Sequence, residues 1–201
     1  MQPAKISLSI EETALVRDPG LILTKRSIMN KAAHLLGDVS DRYGLALGNL
    51  SGSIPAWSHS HPKLSRGENY RELPYLILDF PAIFGKADVF ALRTFFWWGH
   101  YFSLILHLKG QYQELYLPKL LGEMDKGWGN EGYLYDGDDE WDHVIEGGIY
   151  KRVSSLSSRE RLAFSGKPFF KWTSVVPLDQ WDNAAVILDG YFGEIIQILG
   201  N

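Results

Sequence analysis

The run Val89–Leu108, VFALRTFFWWGHYFSLILHL, constrains the fold more than any other stretch of the chain. It is roughly as long as a bilayer-spanning helix, yet Arg93 lies inside it, and a central arginine is costly in lipid. Its aromatic and β-branched content favours strands, and Gly99-His100 interrupts it as a turn would. The run therefore predicts a hairpin of two strands, 89–98 and 101–109. With Gly99-His100 as a two-residue loop, Trp98 faces Tyr101, Phe96 faces Ser103, Thr94 faces Ile105 and Leu92 faces His107. The opposite face then carries Ala91, Arg93, Phe95, Trp97, Phe102, Leu104, Leu106 and Leu108. One face reads as core and the other mixes aromatics with Thr, Ser and His. On the core face, Arg93 must either snorkel at the sheet end or find an acid partner.

A core for such a hairpin comes from two amphipathic helices. Asp18-Pro19 caps and starts the first, and Leu21, Ile28, Ala32, Leu35, Val39 and Tyr43 follow helical spacing until Gly44 closes it, giving a helix of about 19–43. Asp179 caps the second, whose stripe of Trp181, Ala184, Ala185, Leu188, Phe192, Ile195 and Leu199 is continuous. Between these helices, residues 45–73 read as loop with at most one short strand. Leu73–Phe80 reads as a strand bounded by prolines. Tyr112–Leu117 reads as a third hairpin-region strand, with Pro118 opening a short helix to Met124; Pro118 argues against one helix running from Gln111. Ser157 and Glu160 form a capping box for a short helix, and Phe169–Val176 reads as another strand.

The layout predicts a single α+β domain over 1–201: an antiparallel sheet of about five strands, centred on the 89–98/101–109 hairpin, packed against the N-terminal and C-terminal helices. Residues 125–146 hold eight acids against one lysine, so a Gly- and acid-rich loop or flap is expected at about 125–148. Residues 151–171 reverse that sign. At 201 residues and 45% hydrophobic the chain can bury a full core.

Composition removes several chemistries. The chain has no cysteine, which excludes disulfides, thiolate zinc sites, iron–sulfur clusters and cysteine nucleophiles. A formal charge of −4 argues against nucleic acid as a partner. No basic start with a long apolar segment marks the N-terminus as a signal peptide, so a cytoplasmic location is expected, with no membrane partner. Neither GxSxG nor GxGxxG occurs, and YDGDDEWDHV lacks the alternating ligands of a calcium loop. No cofactor is called for.

Two stretches remain as candidate sites. In WSHSHPKLSRGENYRELP, His59 and His61 are spaced to point the same way from an extended chain, as two metal ligands would. Lys63, Arg66 and Arg71 beside Gly67 could grip an anion. Glu68 and Glu72 offset that charge, and no known ligand spacing supports a metal, so a polar approach loop is the preferred reading. The mixed hairpin face is the stronger candidate. Trp98 and Tyr101 would supply contact area there, with His100, Ser103, His107 and Arg71 orienting a ligand. The expected function is a non-enzymatic domain that binds a small molecule or a protein partner on this aromatic face. The alternative is a metal-assisted hydrolase that brings His59, His61, His100 or His107 together with loop carboxylates.

Overall fold

The computed structural model describes residues 6–50, 56–145 and 147–200. Seven strands form one antiparallel sheet in the order β1-β2-β3-β4-β7-β5-β6. They are β1 (Lys63–Tyr70), β2 (Leu73–Phe84), β3 (Val89–Trp97), β4 (Tyr101–Lys109), β5 (Tyr133–Tyr135), β6 (Tyr150–Arg152) and β7 (Phe169–Pro177). The helices are α1 (Ile10–Arg17), α2 (Pro19–Gly48), α3 (Gln111–Asp125), α4 (Ser158–Ala163) and α5 (Ala184–Gly200). The α+β class holds, with seven strands where about five were expected.

α2, α3 and α5 cover one face of the sheet and form the main core with it. The α5 stripe packs as its spacing dictates: Ala184, Leu188, Phe192, Ile195 and Leu199 are all buried. α2 starts at the Asp18 cap, whose side chain accepts from Gly20 N–H at 2.8 Å. It does not stop at Gly44. The next turn buries Leu47, four residues beyond Tyr43, and that burial extends the helix to Gly48. Tyr43 stacks on Phe192 of α5 with ring centroids 3.7 Å apart, fixing the two helices together.

α3 corrects the expectation of a strand at 112–117. Pro118 sits inside this helix and costs it one backbone bond, but Pro118 is exposed, so water can satisfy the freed carbonyl. Burial of Tyr116, Leu117, Leu120 and Met124 on one stripe outweighs that loss.

The central hairpin has the predicted strands but not the predicted register. Trp97, not Trp98, pairs with Tyr101, and the pairing continues through Phe95 with Ser103, Arg93 with Ile105 and Ala91 with His107. The loop has three residues. His100 N–H donates to the Trp97 carbonyl at 3.1 Å, and Gly99 takes the positive φ, 77°, that the turn needs at its third position. A one-residue slip moves every side chain of β3 to the other face. Phe90, Leu92, Thr94 and Phe96 therefore join the helix side, while Arg93, Phe95 and Trp97 lie on the second face.

The second face is covered too. Residues 136–145 fold over it, and His143 and Val144 are 3% and 2% exposed. The segment expected to be a loop throughout thus contains a strand, β5, and a buried stretch. Val144 fills a cluster with Phe95, Trp97 and Ile105.

Candidate functional site

The second sheet face and its cover enclose a dense group of ionisable side chains. Register places them. Asp79 of β2 lies directly across from Arg93 of β3, Arg93 is paired with Ile105 of β4, and His107 of β4 lies directly across from Lys171 of β7. Paired residues share a face, so all four project under the 136–145 cover. Arg93 meets Asp79 through two hydrogen bonds, of 2.7 and 3.1 Å, and supplies the acid partner that its position demanded. Its guanidinium also lies over the rings of Phe84 and Trp141, at 5.7 and 5.6 Å from their centroids.

His143 is the plug of this arrangement. Its Nε2 lies 2.7 Å from Arg93 and its Nδ1 lies 3.5 Å from the Lys171 ammonium nitrogen. An arginine can only donate, so Nε2 accepts and the ring is neutral. Lys171 is fully buried and donates to the main-chain carbonyls of Glu140 (3.2 Å) and Asp142. Its amine rests 4.4 Å from the centre of the Tyr135 ring. The cover is pinned at its edges as well. Arg71 donates to both oxygens of Asp142 at 3.2 Å, and Lys109 to both oxygens of Glu140 at 3.0 Å. Tyr70 Oη donates to Asp142 and accepts from His143 N–H at 2.8 Å, and Tyr101 Oη accepts from Ile145 N–H at 3.0 Å.

Arg71 reaches Asp142 from an unusual backbone. Arg71 and Glu72 have φ of 47° and 68° in the two-residue turn between β1 and β2. A two-residue hairpin of this type needs positive φ at both positions, which side-chain-bearing residues adopt at a cost.

Burial controls the titration of the group. Desolvation, with the positive charges of Lys171, Arg93 and Lys109 acting in the same direction, pushes His107 down to about 3. Its approach to Glu140, 3.6 Å, is therefore neither an ion pair at neutral pH nor a hydrogen bond. His143 is lowered well below its ordinary value by burial, then by Lys171 and Arg93. Lys171 is lowered to about 7 by burial, against the opposing pull of Asp142.

These shifts carry a signed prediction. Below pH 6.5, and down to about 3 for His107, the unfolded chain binds protons at His107 and His143 that the folded chain refuses, so stability is lost as pH falls. Between pH 7 and 10.5 the unfolded chain holds a proton at Lys171 that the folded chain releases, so stability rises with pH there. Urea midpoints measured across pH 4–10 should climb through both windows. His107→Gln should flatten the acid limb and Lys171→Met the alkaline one; a profile unchanged by either substitution would contradict the assignment.

Of the residues expected at the site, Tyr101, Ser103 and His107 lie on this face, and Arg71 and His100 at its rim. Ser103 is fully buried and its Oγ has no hydrogen-bond partner among the described residues. His100 is exposed and stacks on Trp97 at 3.6 Å. Trp98 is the exception: the register slip turns it to the helix side, where it packs against the main core. His59 ends a 3-10 turn and lines a depression with Gly44, Leu47 and Phe80, while His61 precedes β1, so the two are not held as neighbours on a strand. His100 and His107 stand at opposite ends of β4. No group of three His, Asp or Glu side chains among the described residues could hold a metal ion.

The residues that sequence reasoning missed are His143, Lys171, Glu140, Asp142, Asp79 and Tyr70. One signal was present: FFKWTSVV is apolar on both alternating faces, so a lysine within it has no polar face to occupy. No family model matches the chain, and no curated protein or solved structure resembles it to a significant degree.

Proposed function

We propose that this protein binds a small carboxylate- or phosphate-bearing molecule on the second sheet face, in exchange with residues 136–145, which act as a displaceable cover. The observation that carries this reading is the charge arrangement. The strands bring Arg93, Lys109 and Lys171 together around His107; the strand acid Asp79 pairs with Arg93, and further counter-charges, Glu140 and Asp142 among them, belong to the cover. The cover's acids and carbonyls hold the positions that an anionic ligand would take. Gly147 and Gly148 beyond one end of the cover, at φ of 67° and 75° and in open space, are suited to a hinge. Binding is favoured over a chemical step because, among the described residues, Ser103 Oγ and Thr173 Oγ1 have no hydrogen-bond partner and so no base to activate them.

A self-occupied site weakens the apparent affinity for any external ligand by the fraction of time the cover is open. Replacing Glu140→Gln and Asp142→Asn together removes the competing anions. The double variant should bind succinate, citrate or phosphate at least about tenfold more tightly than the wild type, read by calorimetry or by thermal shift. Adding Arg93→Met should abolish the gain. A double variant that loses stability and gains no anion affinity would make the cover purely structural and end the proposal.

A further inference from the structure

On the helix side of the sheet, away from the charged cluster, two open depressions of about 600 and 480 Å³ share lining residues. The first lies between α3 and α5, lined by Pro118, Gly122, Gln197 and Ile198 among others; the second lies over the turn 127–131. Both are lined by Trp128 and Glu194. Each has the size of a small-molecule site.

Their aromatic wall is built. Trp128 stacks on Trp172 at 5.1 Å, and Tyr191 meets Trp172 edge-on at 6.0 Å. The turn is moulded to the Trp172 ring: a Cβ on Gly129 or Gly132 would come within 2.8 or 2.5 Å of it, and Trp172 Nε1 donates to the Gly129 carbonyl at 3.2 Å. One face of Trp128 is thereby used, and its ring is held in place although its buried Nε1 has no hydrogen-bond partner among the described residues. Trp128 lines both depressions.

The charge of the lining is negative. Glu123, Glu131 and Glu194 face one cation, Lys119. Glu123 is paired with Lys126 at 2.7 Å and Glu131 with Arg152, but Glu194 is exposed and makes no ion pair among the described residues. Burial, and then Glu131 and Glu194, push the Tyr191 phenol upward, which reflects the same negative field.

We infer that this groove binds a small organic ammonium ion, with the cation against the Trp128 ring and its charge balanced by Glu194. An ammonium carrying alkyl groups matches both features, since an indole face attracts a cation and the free carboxylate sits on the same wall. A neutral ligand of the same shape would use only the apolar part. The inference is independent of the anion site, which lies on the other face of the sheet.

The probe is choline chloride, titrated at low ionic strength and followed by tryptophan fluorescence and calorimetry. Saturable binding is expected for choline and not for its neutral tert-butyl isostere. Glu194→Gln, an exposed substitution that leaves the fold intact, should weaken choline binding by about fivefold and remove most of its salt dependence. Trp128→Ala should weaken it by about tenfold, and Trp128→Phe should restore part of that loss. Equal binding of choline and the neutral isostere, unchanged affinity in Glu194→Gln, or no saturable choline binding by the wild type would each overturn the inference.

Discussion

Leu188→Asp should destabilise the protein by on the order of ~3–5 kcal/mol. Leu188 is fully buried on α5, where the stripes of α2 and α5 meet the helix face of the sheet. The polar groups near it are already engaged: Tyr43 Oη shares a hydrogen bond with Thr94 at 3.2 Å and approaches the Leu188 carbonyl at 3.5 Å. A carboxylate there would find no cation and would either remain charged at great cost or take up a proton and still lack partners. Folded domains of this kind hold only about 5–15 kcal/mol in total, so the loss would consume a large share. Urea unfolding at neutral pH is the direct measurement, with a lower midpoint at unchanged slope expected. A midpoint within error of the wild type would mean that α5 does not cover the sheet.

That helix was the most legible part of the chain, because its apolar positions recur at helical spacing and nothing else on it competes. The hairpin was legible as two strands but not in its register. Both strands are apolar on both faces, since helices cover one side and the 136–145 segment the other. Alternation then gives no cue to which residue faces which, and the choice between a two-residue and a three-residue loop decides it. The slip misplaced Trp98 while leaving Tyr101, Ser103 and His107 correctly on one face. α3 was misread for a related reason: a single-residue rule about proline was set against a buried stripe whose worth depends on the sheet beneath it.

The charged cluster was half legible. Arg93 announced its need for an acid, and the sheet register supplied Asp79. What no local pattern indicated was that Asp142 and Glu140 are matched to cations far away in sequence, Arg71 and Lys109. Read alone, the covering segment's charge and glycines describe a solvated loop. Its HVI triplet was the contrary sign, because His143 and Val144 are the residues that enter the sheet face.

Asp79→Ala tests the other end of that cluster. Asp79 and Arg93 have side chains only 10% and 13% exposed, and their two hydrogen bonds neutralise a guanidinium that cannot lose its proton. Removing the carboxylate leaves Arg93 with a neutral imidazole, His143, and with Lys171 close by. The expected loss is about 3–5 kcal/mol, the range for breaking one partner of a buried ion pair. Replacing both partners, Asp79→Leu with Arg93→Met, should recover most of it, because apolar side chains of similar volume need no counter-charge. The pair of results separates two roles. If the ion pair only ties β2 to β3, the double variant will match the wild type in stability and in anion binding alike. If Arg93 belongs to the anion site, the double variant will match it in stability and show no affinity for succinate or phosphate, even with Glu140→Gln and Asp142→Asn in place. Should Asp79→Ala cost less than about 1 kcal/mol, Arg93 must be reaching solvent or another acid, and the buried cluster would lose its central charge.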